Sequence, residues 1–385
     1  MVYRSYGKRV KEKVSALGMG TMRLPTGPDG EVAGPQAIEL MEAAFDAGIN
    51  YADTAYPYHS GTSEGFLAEA LNNGWRDKVY IADKLPIWEV TAYADQTPLF
   101  ETQLKRLQTD RIDFYLLHTL NKNYWKTVQV AESIRWIDEL KKSGRIRYAG
   151  FSFHDDFSLF KTIIDAYDWD FCQIQYNYAY PQTQAGMRGL HYAASKGIGV
   201  AVMEPLLGGF LSDAKLPPQA KQIFNDTGLD PVATALRWLW NQPEVGTVLS
   251  GMSSRQQLDE NLKTASTSAI GGLTALEKET LGKVCSIFRD EVEIPCTACG
   301  YCTKYCPVGI NIPEMFALYT AHTLAQGGNR LPKILYTCMQ PNERASACIR
   351  CEKCLSHCPQ HLPIPLHLLS VAKTFAETEK PIDSP

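Results

Sequence analysis

Eight cysteines in two short runs constrain this chain more than any other feature of its sequence. Each run has the spacing C-x₂-C-x₂-C-x₃-C followed by proline, and the second run is the first displaced by 52 residues. The runs consist of Cys296, Cys299, Cys302 and Cys306, and of Cys348, Cys351, Cys354 and Cys358. In a small secreted protein such a cluster indicates disulfides. In a chain of 385 residues that starts with charges instead of an apolar signal sequence, it indicates metal binding.

The spacing inside each run is typical of thiolates that bind a [4Fe–4S] cubane. Structural zinc, the competing interpretation, usually has two C-x₂-C pairs separated by a longer loop. The runs resemble those of two-cluster ferredoxins, in which the fourth cysteine of each run ligates the other cluster. This resemblance assigns one cluster to Cys296, Cys299, Cys302 and Cys358, and the other to Cys348, Cys351, Cys354 and Cys306.

Eight apolar, β-rich runs recur through the first 250 residues at intervals of 25 to 47 residues. They start at Val14, Ile49, Val79, Ile112, Ile146, Phe171, Ile198 and Val245. A strand, its crossover helix and the return need about 30 residues. Helix-like segments lie between the runs, and two of them are closed by Gly48 and Gly144. Eight such units predict a (β/α)₈ TIM barrel of the α/β class. A doubly wound sheet is the alternative, but no G-x-G-x-x-G follows the first run.

The chain is therefore predicted to have two domains. Residues 1–290 form the barrel, and residues 291–385 form a small, mainly helical domain that holds the two clusters. The 41 residues between the runs and the segment CPVGINIP resemble a helical dicluster ferredoxin module.

The charge balance and hydropathy exclude some classes of partner. The formal net charge is −4, which leaves no obvious basic face for nucleic acid. No stretch reaches the roughly 18 apolar residues that a membrane-spanning helix needs. We expect a cytoplasmic protein that binds neither nucleic acid nor membrane.

Three successive strand-like runs end in polar residues, namely Asp53, Lys84 and His118, and Tyr58 follows Asp53 in the next loop. Chemistry in a (β/α)₈ barrel takes place at the carboxyl ends of the strands. A tyrosine with a pKa of about 10 is a poor acid at neutral pH, but a neighbouring ammonium such as that of Lys84 lowers the pKa. Asp53 would keep Lys84 charged, and His118 would donate a hydrogen bond to a carbonyl oxygen. The set predicts carbonyl reduction or alcohol oxidation.

The motifs DTAYPY, IADK and YLLH resemble those of the aldo-keto reductases in order and spacing, over roughly residues 5–290. The resemblance implies that Tyr58 is the general acid and base, that the other three residues assist it, and that a nicotinamide delivers hydride. Tyr56 is the nearest rival for the acid. The family places its tyrosine five positions after the aspartate, which favours Tyr58.

The same resemblance implies a dinucleotide site. Gly20, Thr21, Met22 and Asp53 would lie near the nicotinamide ribose, and Ser152 and Gln173 would hold the carboxamide. The adenosine phosphate would be held by Gly251, Met252, Ser253, Gln257, Glu260 and Asn261.

This chain departs from the family at the dinucleotide site. Met203 stands where many relatives have an aromatic residue, and Gly251 and Gln257 replace a lysine and an arginine that often bind the 2′-phosphate. Arg255 could compensate for that loss. NADP(H) is the predicted cofactor, and NAD(H) is the alternative.

Three functions fit these observations. The first is an oxidoreductase that interconverts a small-molecule carbonyl and its alcohol with NADP(H), with two [4Fe–4S] clusters connecting it to a ferredoxin or another redox protein. The second is a reductase driven by the clusters one electron at a time, without nicotinamide. The third is a redox-sensing or docking protein that binds nicotinamide without appreciable turnover.

Overall fold

The computed structural model describes residues 1–324 and 331–376. Its barrel consists of eight parallel strands, namely β3 (Leu17–Gly20), β4 (Tyr51–Asp53), β5 (Tyr80–Leu85), β6 (Ile112–Leu120), β7 (Ile146–Phe153), β8 (Phe171–Gln175), β9 (Gly199–Met203) and β10 (Val245–Ser250). They close in the order β10-β3-β4-β5-β6-β7-β8-β9. They are almost wholly buried, as expected of parallel strands covered by helices. The predicted fold class is confirmed.

The run that starts at Val14 contains two strands. Its first part is β2 (Lys13–Ser15), which pairs antiparallel with β1 (Tyr3–Ser5), and only its second part, β3, belongs to the barrel. Tyr6, directly after β1, packs inside the amino-terminal end of the barrel against Tyr51, Phe114 and Phe171. The hairpin thus closes one end of the barrel with aromatic rings and leaves the carboxyl end for chemistry.

Helices connect the barrel strands and continue beyond them. They are α1 (Gly34–Asp46), α2 (Ser63–Leu71), α3 (Gln96–Leu107), α4 (Lys122–Val130), α5 (Ser133–Lys142), α6 (Phe157–Ala166), α7 (Gly186–Ser195), α8 (Pro218–Thr227), α9 (Pro231–Trp240), α10 (Arg255–Thr267), α11 (Ala275–Glu291), α12 (Ile312–Leu324), α13 (Leu331–Cys338) and α14 (Ile364–Ala376). Gly48 and Gly144 have φ angles of 94° and 76° after α1 and α5, in the left-handed conformation predicted for them.

The chain divides into two compact units. The first contains Met1–Pro205 and Ala233–Thr274, and the second contains Leu206–Val232 together with the chain from Ala275 onward. In the second unit α8 packs against α11, and an apolar core gathers side chains of α12 and α14, among them Phe316 and Phe375. The predicted boundary near residue 290 remains a prediction, and residues 325–330 and 377–385 of the predicted second domain lie outside the described residues.

No helix in the described part of the chain is long and apolar enough to cross a membrane.

Candidate active site and cluster-binding loops

Strand alternation points the polar residues into the barrel. Tyr51, Ala82 and Leu116 belong to the apolar core inside the barrel. Successive side chains of a strand point to opposite faces, so residues two positions further along face the interior again. Those residues are Asp53, Lys84 and His118, and they are 3%, 0% and 3% exposed. The three therefore form a polar layer above the apolar core.

Lys84 is the centre of this layer. Its ammonium donates hydrogen bonds to Asp53 Oδ1 at 2.8 Å and to the carbonyl oxygen of Thr54 at 2.6 Å. It also lies 3.4 Å from the Tyr58 hydroxyl. Each of the three ammonium hydrogens thus has an oxygen within hydrogen-bond distance. The arrangement holds a positive charge beside the hydroxyl of Tyr58.

Burial sets the charge states around Lys84. Burial raises the pKa of Asp53, and the Lys84 ammonium opposes that shift. Burial also lowers the pKa of His118 well below its usual value, and the charges of Lys84 and His154 lower it further. At neutral pH His118 is therefore a neutral imidazole, which donates through one nitrogen and accepts through the other.

The two candidate tyrosines have different surroundings. Tyr58 is buried, and its ring centroid lies 6.2 Å from that of His118. The ring of Tyr56 lies under the Arg106 guanidinium, at 4.4 Å. Of the two hydroxyls, the structure places that of Tyr58 beside Lys84.

A buried carboxyl pair behind Lys84 was not predicted from the sequence. Asp83 and Glu64 are both fully buried, on the helix side of β5. Asp83 accepts hydrogen bonds from the Lys84 backbone and from Gln103, and Glu64 accepts one from Arg106. Burial and the neighbouring Glu64 charge raise the pKa of Asp83 well above its usual value. The two carboxyls therefore oppose each other's ionisation, which the adjacency of Asp83 to Lys84 alone does not reveal.

The two residues predicted to hold a carboxamide are paired on neighbouring strands, Ser152 on β7 and Gln173 on β8. Gln173 donates from Nε2 toward the Met203 sulfur at 3.6 Å, and its buried Oε1 has no hydrogen-bond partner among the described residues. Ser152 accepts a hydrogen bond from the Thr119 backbone at 2.7 Å. A buried amide oxygen without a donor fits a carboxamide NH₂ group supplied by a bound molecule.

The end of β3, where the ribose is predicted to lie, is next to the end of β10. The space beside Gly20 is bounded by the Ser250 backbone at 3.4 Å. Thr21 is buried and donates to the Asp53 carbonyl at 3.0 Å, while Met22 is half-buried. A side-chain carbon at Gly251 would meet the aliphatic part of Arg23 at 3.1 Å. Arg23, a cation at this strand end, was not singled out in the sequence.

The predicted adenosine-phosphate residues gather at the start of α10. Gln257 accepts a hydrogen bond from the Ser253 backbone at 2.8 Å, and Asn261 donates to the Ser250 hydroxyl at 3.1 Å. Met252 is buried, and Glu260 accepts from Gln256. A helix N-terminus favours an anion, because its first N–H groups and its dipole point outward.

The cation expected to compensate at this site is already paired. Arg255 bonds Asp259 at 2.9 Å, and both side chains are more than half exposed. Near the predicted phosphate site, the half-buried Arg23 therefore lies against Gly251, and the surface residue Arg255 starts α10.

Among the described residues, no group of three or more His, Cys, Asp or Glu converges on the position of a single metal ion. In a cubane each thiolate ligates a different iron, so its four sulfurs are not required to converge in this way. Burial raises the pKa of Cys302 to about 12, and Cys358 is the largest contributor among the neighbouring thiols, before Cys296 and Cys354. Cys302 thus lies close enough to Cys358 and Cys296, two of the three cysteines with which it was grouped, for their thiols to affect its pKa.

The other predicted set is also brought together. Burial raises the pKa of Cys354 to about 11, and the thiols of Cys348, Cys351 and Cys306 raise it further. All four of these cysteines line one cavity in the second unit. Sulfur donors around a shared cavity fit a cluster with four thiolate ligands.

The repeat of 52 residues is also visible in the backbone. Three positions of the first run have φ angles of 54°, 77° and 83°, and the equivalent positions of the second have 54°, 60° and 52°. These pairs are Ala298 with Arg350, Gly300 with Glu352, and Gly309 with His361. Non-glycine residues rarely adopt this conformation, so both loops are held in the same turn by their surroundings.

Comparisons with known proteins agree with both parts of the chain. The Aldo/keto reductase family matches residues 16–270, and a 4Fe-4S dicluster domain matches residues 295–362. L-galactose dehydrogenase of Arabidopsis thaliana is 28% identical over 72% of this chain and 91% of its own length. The NADH-specific methylglyoxal reductase of Escherichia coli is 25% identical over 65% of this chain and 89% of its own length.

Solved structures show the same relationship. The holo form of an aldo-keto reductase from Bacillus halodurans is 26% identical, covers 74% of this chain and 96% of its own, and has a TM-score of 0.61. The family match spans more than half of the sequence and contains all four candidate catalytic residues. The chain therefore belongs to the aldo/keto reductase family, and it is an oxidoreductase that also carries a 4Fe-4S dicluster domain.

Proposed function

We propose that the barrel interconverts a carbonyl compound and its alcohol with NADP(H), and that two [4Fe–4S] clusters exchange electrons with a ferredoxin or another redox protein. The contact set of Lys84 is the observation that supports the barrel chemistry most directly. One buried ammonium bonds Asp53 at 2.8 Å and lies 3.4 Å from the Tyr58 hydroxyl.

The side chains around Lys84 supply the proton for carbonyl reduction. When bound, NADPH supplies the hydride that the carbonyl carbon accepts. Tyr58 gives its hydroxyl proton to the carbonyl oxygen, and the nearby ammonium stabilises the phenolate that remains. Asp53 balances the ammonium and fixes its position. His118, neutral because it is buried, donates an N–H to the same oxygen as negative charge develops there. Alcohol oxidation runs through the same groups in reverse.

The dinucleotide would lie across the carboxyl ends of the strands. Gln173 and Ser152 would hold its carboxamide, Met203 would pack against the ring, and the start of α10 would face its phosphate. Arg23 would add a cation there that Gly251 and Gln257 do not supply. This set supports NADP(H) as the first choice.

The cysteine loops would hold the two clusters in the crossed sets given above. A bound [4Fe–4S] cluster exchanges one electron at a time, whereas hydride transfer moves two. Cys351 is exposed, whereas Cys299, its equivalent in the first run, is only partly so. The cluster held by Cys306, Cys348, Cys351 and Cys354 is therefore the one we expect to meet an external redox protein.

A second candidate function is a cluster-driven reductase that does not use nicotinamide. The pairing of Arg255 with Asp259 favours it, because this cation is partly neutralised before any phosphate binds. Calorimetry with NADPH separates the two candidates. Saturable binding supports the first, whereas catalysis with a chemically reduced protein in the absence of NADPH binding supports the second.

The central experiment is anaerobic purification followed by iron and sulfide analysis and by absorbance spectra before and after NADPH addition. Visible absorbance that bleaches with NADPH or with an alcohol substrate supports electron exchange with the clusters. Clusters that never change oxidation state would contradict that half of the proposal.

Tyr58→Phe and Tyr56→Phe form a matched pair for the barrel chemistry. Removal of a general acid costs about 10²- to 10⁴-fold in rate. We expect Tyr58→Phe to lose carbonyl reductase activity by that factor and Tyr56→Phe to retain most of it. The reverse result would reject the assignment.

A further inference from the structure

The loop that carries Tyr58 has an unusual backbone. His59, Ser60 and Gly61 follow Tyr58 directly, and their φ angles of 48°, 56° and 89° are all in the left-handed region. Non-glycine residues rarely adopt this conformation, and it persists where the surroundings hold the chain in place. A contact that holds this loop therefore also sets the position of the Tyr58 hydroxyl.

The guanidinium of Arg106, on α3, contacts this loop on both sides of Tyr58. It lies over the ring of Tyr56, 4.4 Å from the centroid, and its Nη1 donates to the Tyr56 carbonyl oxygen at 3.4 Å. A side-chain carbon at Gly61 would lie 3.4 Å from both Nη1 and Nη2. One side chain thus contacts the loop from two residues before Tyr58 to three residues after it.

A buried carboxylate fixes this guanidinium. Glu64, in the first turn of α2, has no exposed side-chain surface and accepts a hydrogen bond from Arg106 Nη1 at 2.8 Å. Nη1 carries two hydrogens, one for the Glu64 oxygen and one for the Tyr56 carbonyl. A planar guanidinium can make both bonds while it covers an aromatic ring, whereas the ammonium of a lysine is a point charge without such a plane. The three contacts together therefore require an arginine.

The same helix also contacts Lys84. Gln103, three residues before Arg106 on α3, donates from Nε2 to the Lys84 carbonyl oxygen at 3.0 Å and to Asp83 at 2.8 Å. Residues three apart on a helix lie on the same face. Helix α3 thus holds the backbone of Lys84 through one side chain and the loop of Tyr58 through another.

We propose that Arg106 is a positioning residue, which holds the loop of Tyr58 so that the tyrosine hydroxyl stays beside the Lys84 ammonium. Without this contact the hydroxyl moves away from the positive charge that stabilises its phenolate. Proton transfer then becomes slower, although the contacts with substrate and dinucleotide are unchanged. The inference rests on the proposed function, in which Tyr58 is the acid.

The test removes the guanidinium without leaving a buried carboxylate unpaired. In Glu64→Gln the glutamine oxygen can still accept from Arg106, so we expect the rate of the holoprotein to stay close to that of the wild type. Adding Arg106→Met should lower kcat for the reduction of p-nitrobenzaldehyde by about 10- to 100-fold and change KM little, because a displacement of about 1 Å can cost about 10²-fold. An unchanged kcat in the double variant overturns the inference.

The pH dependence separates a displaced hydroxyl from a general loss of structure. Oxidation of p-nitrobenzyl alcohol requires the ionised Tyr58, which accepts the alcohol proton. The oxidation rate should therefore reach its half-maximum at a higher pH in Glu64→Gln/Arg106→Met than in Glu64→Gln, since the phenolate is then farther from the ammonium. Arg106→Lys in the same background keeps the charge without the planar group, and it should behave like Arg106→Met. Full recovery by lysine would assign the effect to charge alone and contradict the positioning role.

A second arginine provides a matched control. Arg76 bonds the buried carboxylate of Asp113 at 2.9 Å and donates to the carbonyl oxygen of Arg111. Asp113 lies at the start of β6, whereas His118 lies near its carboxyl end. Asp113→Asn/Arg76→Met should therefore lower stability in urea and leave kcat and its pH dependence unchanged. An equal loss of kcat in both double variants would reject a specific effect on Tyr58.

Crystal structures of the variants keep this result separate from that of the proposed function, because they require no turnover. In Glu64→Gln the Tyr58 hydroxyl should stay within hydrogen-bond distance of Lys84 Nζ, and in Glu64→Gln/Arg106→Met it should not. This outcome would support the positioning role even if no carbonyl compound were reduced. In that case only the proposed carbonyl chemistry would fail. The same distance in both variants would reject the positioning role.

Discussion

At the scale of single residues, the site depends on charges that have been removed from water. Lys84 has no exposed surface, and it forms an ion pair with Asp53 Oδ1. A buried ion pair of this kind contributes little net stability by itself, but removing one partner leaves an uncompensated charge. Its value lies in fixing the ammonium beside Tyr58.

Separate substitutions of the ion pair can distinguish stability from chemistry. Lys84→Met leaves Asp53 buried and unpaired, so we expect a loss of about 3–5 kcal/mol in the free energy of unfolding. The double variant Asp53→Asn/Lys84→Met removes both charges and should recover most of this loss. Activity should stay low in both. Urea unfolding and reductase assays check this, and restored activity in the double variant would contradict the role of Lys84.

The carboxyl pair of Asp83 and Glu64 makes stability depend on pH. A carboxyl whose pKa is raised on folding binds more protons in the folded state, so stability is greatest below its unfolded pKa and falls as pH rises toward the folded pKa. Both carboxyls have a raised pKa, chiefly through burial.

Glu64→Gln tests whether the pair shares a proton. The glutamine oxygen can still accept from Arg106, and its NH₂ group can donate to an ionised Asp83. We expect the free energy of unfolding to decline less between pH 5 and 8 in this variant than in the wild type, a range that lies above the usual carboxyl pKa of about 4. Chemical denaturation at several pH values measures it, and parallel profiles would exclude a shared proton.

Sequence predicts residues of this site that follow strand ends, but it does not predict pairs that form between distant segments. Asp53, Lys84 and His118 were identifiable because each ends an apolar run. The contact between His154 and Gln184 was not predicted, since Gln184 lies 30 residues away along the chain. The partner of Asp83 is on another element altogether. The NADP preference stays a prediction, because Arg23 approaches Gly251 only after the barrel closes.

At the scale of elements, the period of the apolar runs predicts the barrel. Where each element begins is decided by local turns and by hydrogen bonds from capping side chains. The first run contains a hairpin strand as well as a barrel strand, because the chain reverses before Val14 to bring Tyr6 into the core. Apolar periodicity cannot separate the two strands, since buried residues continue from Val14 in β2 through β3. Helix starts are set by side chains such as Asn121, which accepts from the Asn123 and Tyr124 backbones at the start of α4.

Two helix caps provide a matched pair of variants. Asn121 caps α4, and Asp156 caps α6 by accepting from Leu159. Replacing either with Ala should cost about 1 kcal/mol of stability. Of these two helices, α4 carries Tyr124, whose ring lies 6.4 Å from that of Trp88, and the Trp88 ring lies 5.1 Å from that of His118. Asn121→Ala should therefore also raise KM for the carbonyl substrate, and Asp156→Ala should not. Thermal unfolding measures the loss of stability and steady-state kinetics measures KM. Equal KM changes in the two variants would contradict a role of Tyr124 in substrate binding.

At the scale of the whole molecule, one chain combines residues suited to hydride chemistry with cysteines suited to one-electron chemistry. Both sets were predicted from sequence, because each consists of residue types at regular intervals. The sequence does not predict whether electrons pass between the two sets of residues, since such transfer depends on their geometry and on the bound groups.

The crossed ligand sets can be tested with paired serine variants. Cys299→Ser/Cys358→Ser removes two proposed ligands of one cluster and should leave about four of eight iron atoms. Cys299→Ser/Cys306→Ser removes one ligand from each cluster and should disturb both. Iron analysis and low-temperature electron paramagnetic resonance of the reduced protein measure this. If each run held its own cluster, the two double variants would exchange their results.

The repeated loops have a consequence for the order in which the molecule can mature. With the crossed ligand sets, the cluster that begins at Cys296 is completed by Cys358, and the other needs Cys306 from the earlier run. During synthesis, neither half of the repeat can close a cluster when it alone has emerged. Iron loading should therefore follow synthesis of both cysteine runs, and a protein shortened before Cys348 should retain neither cluster.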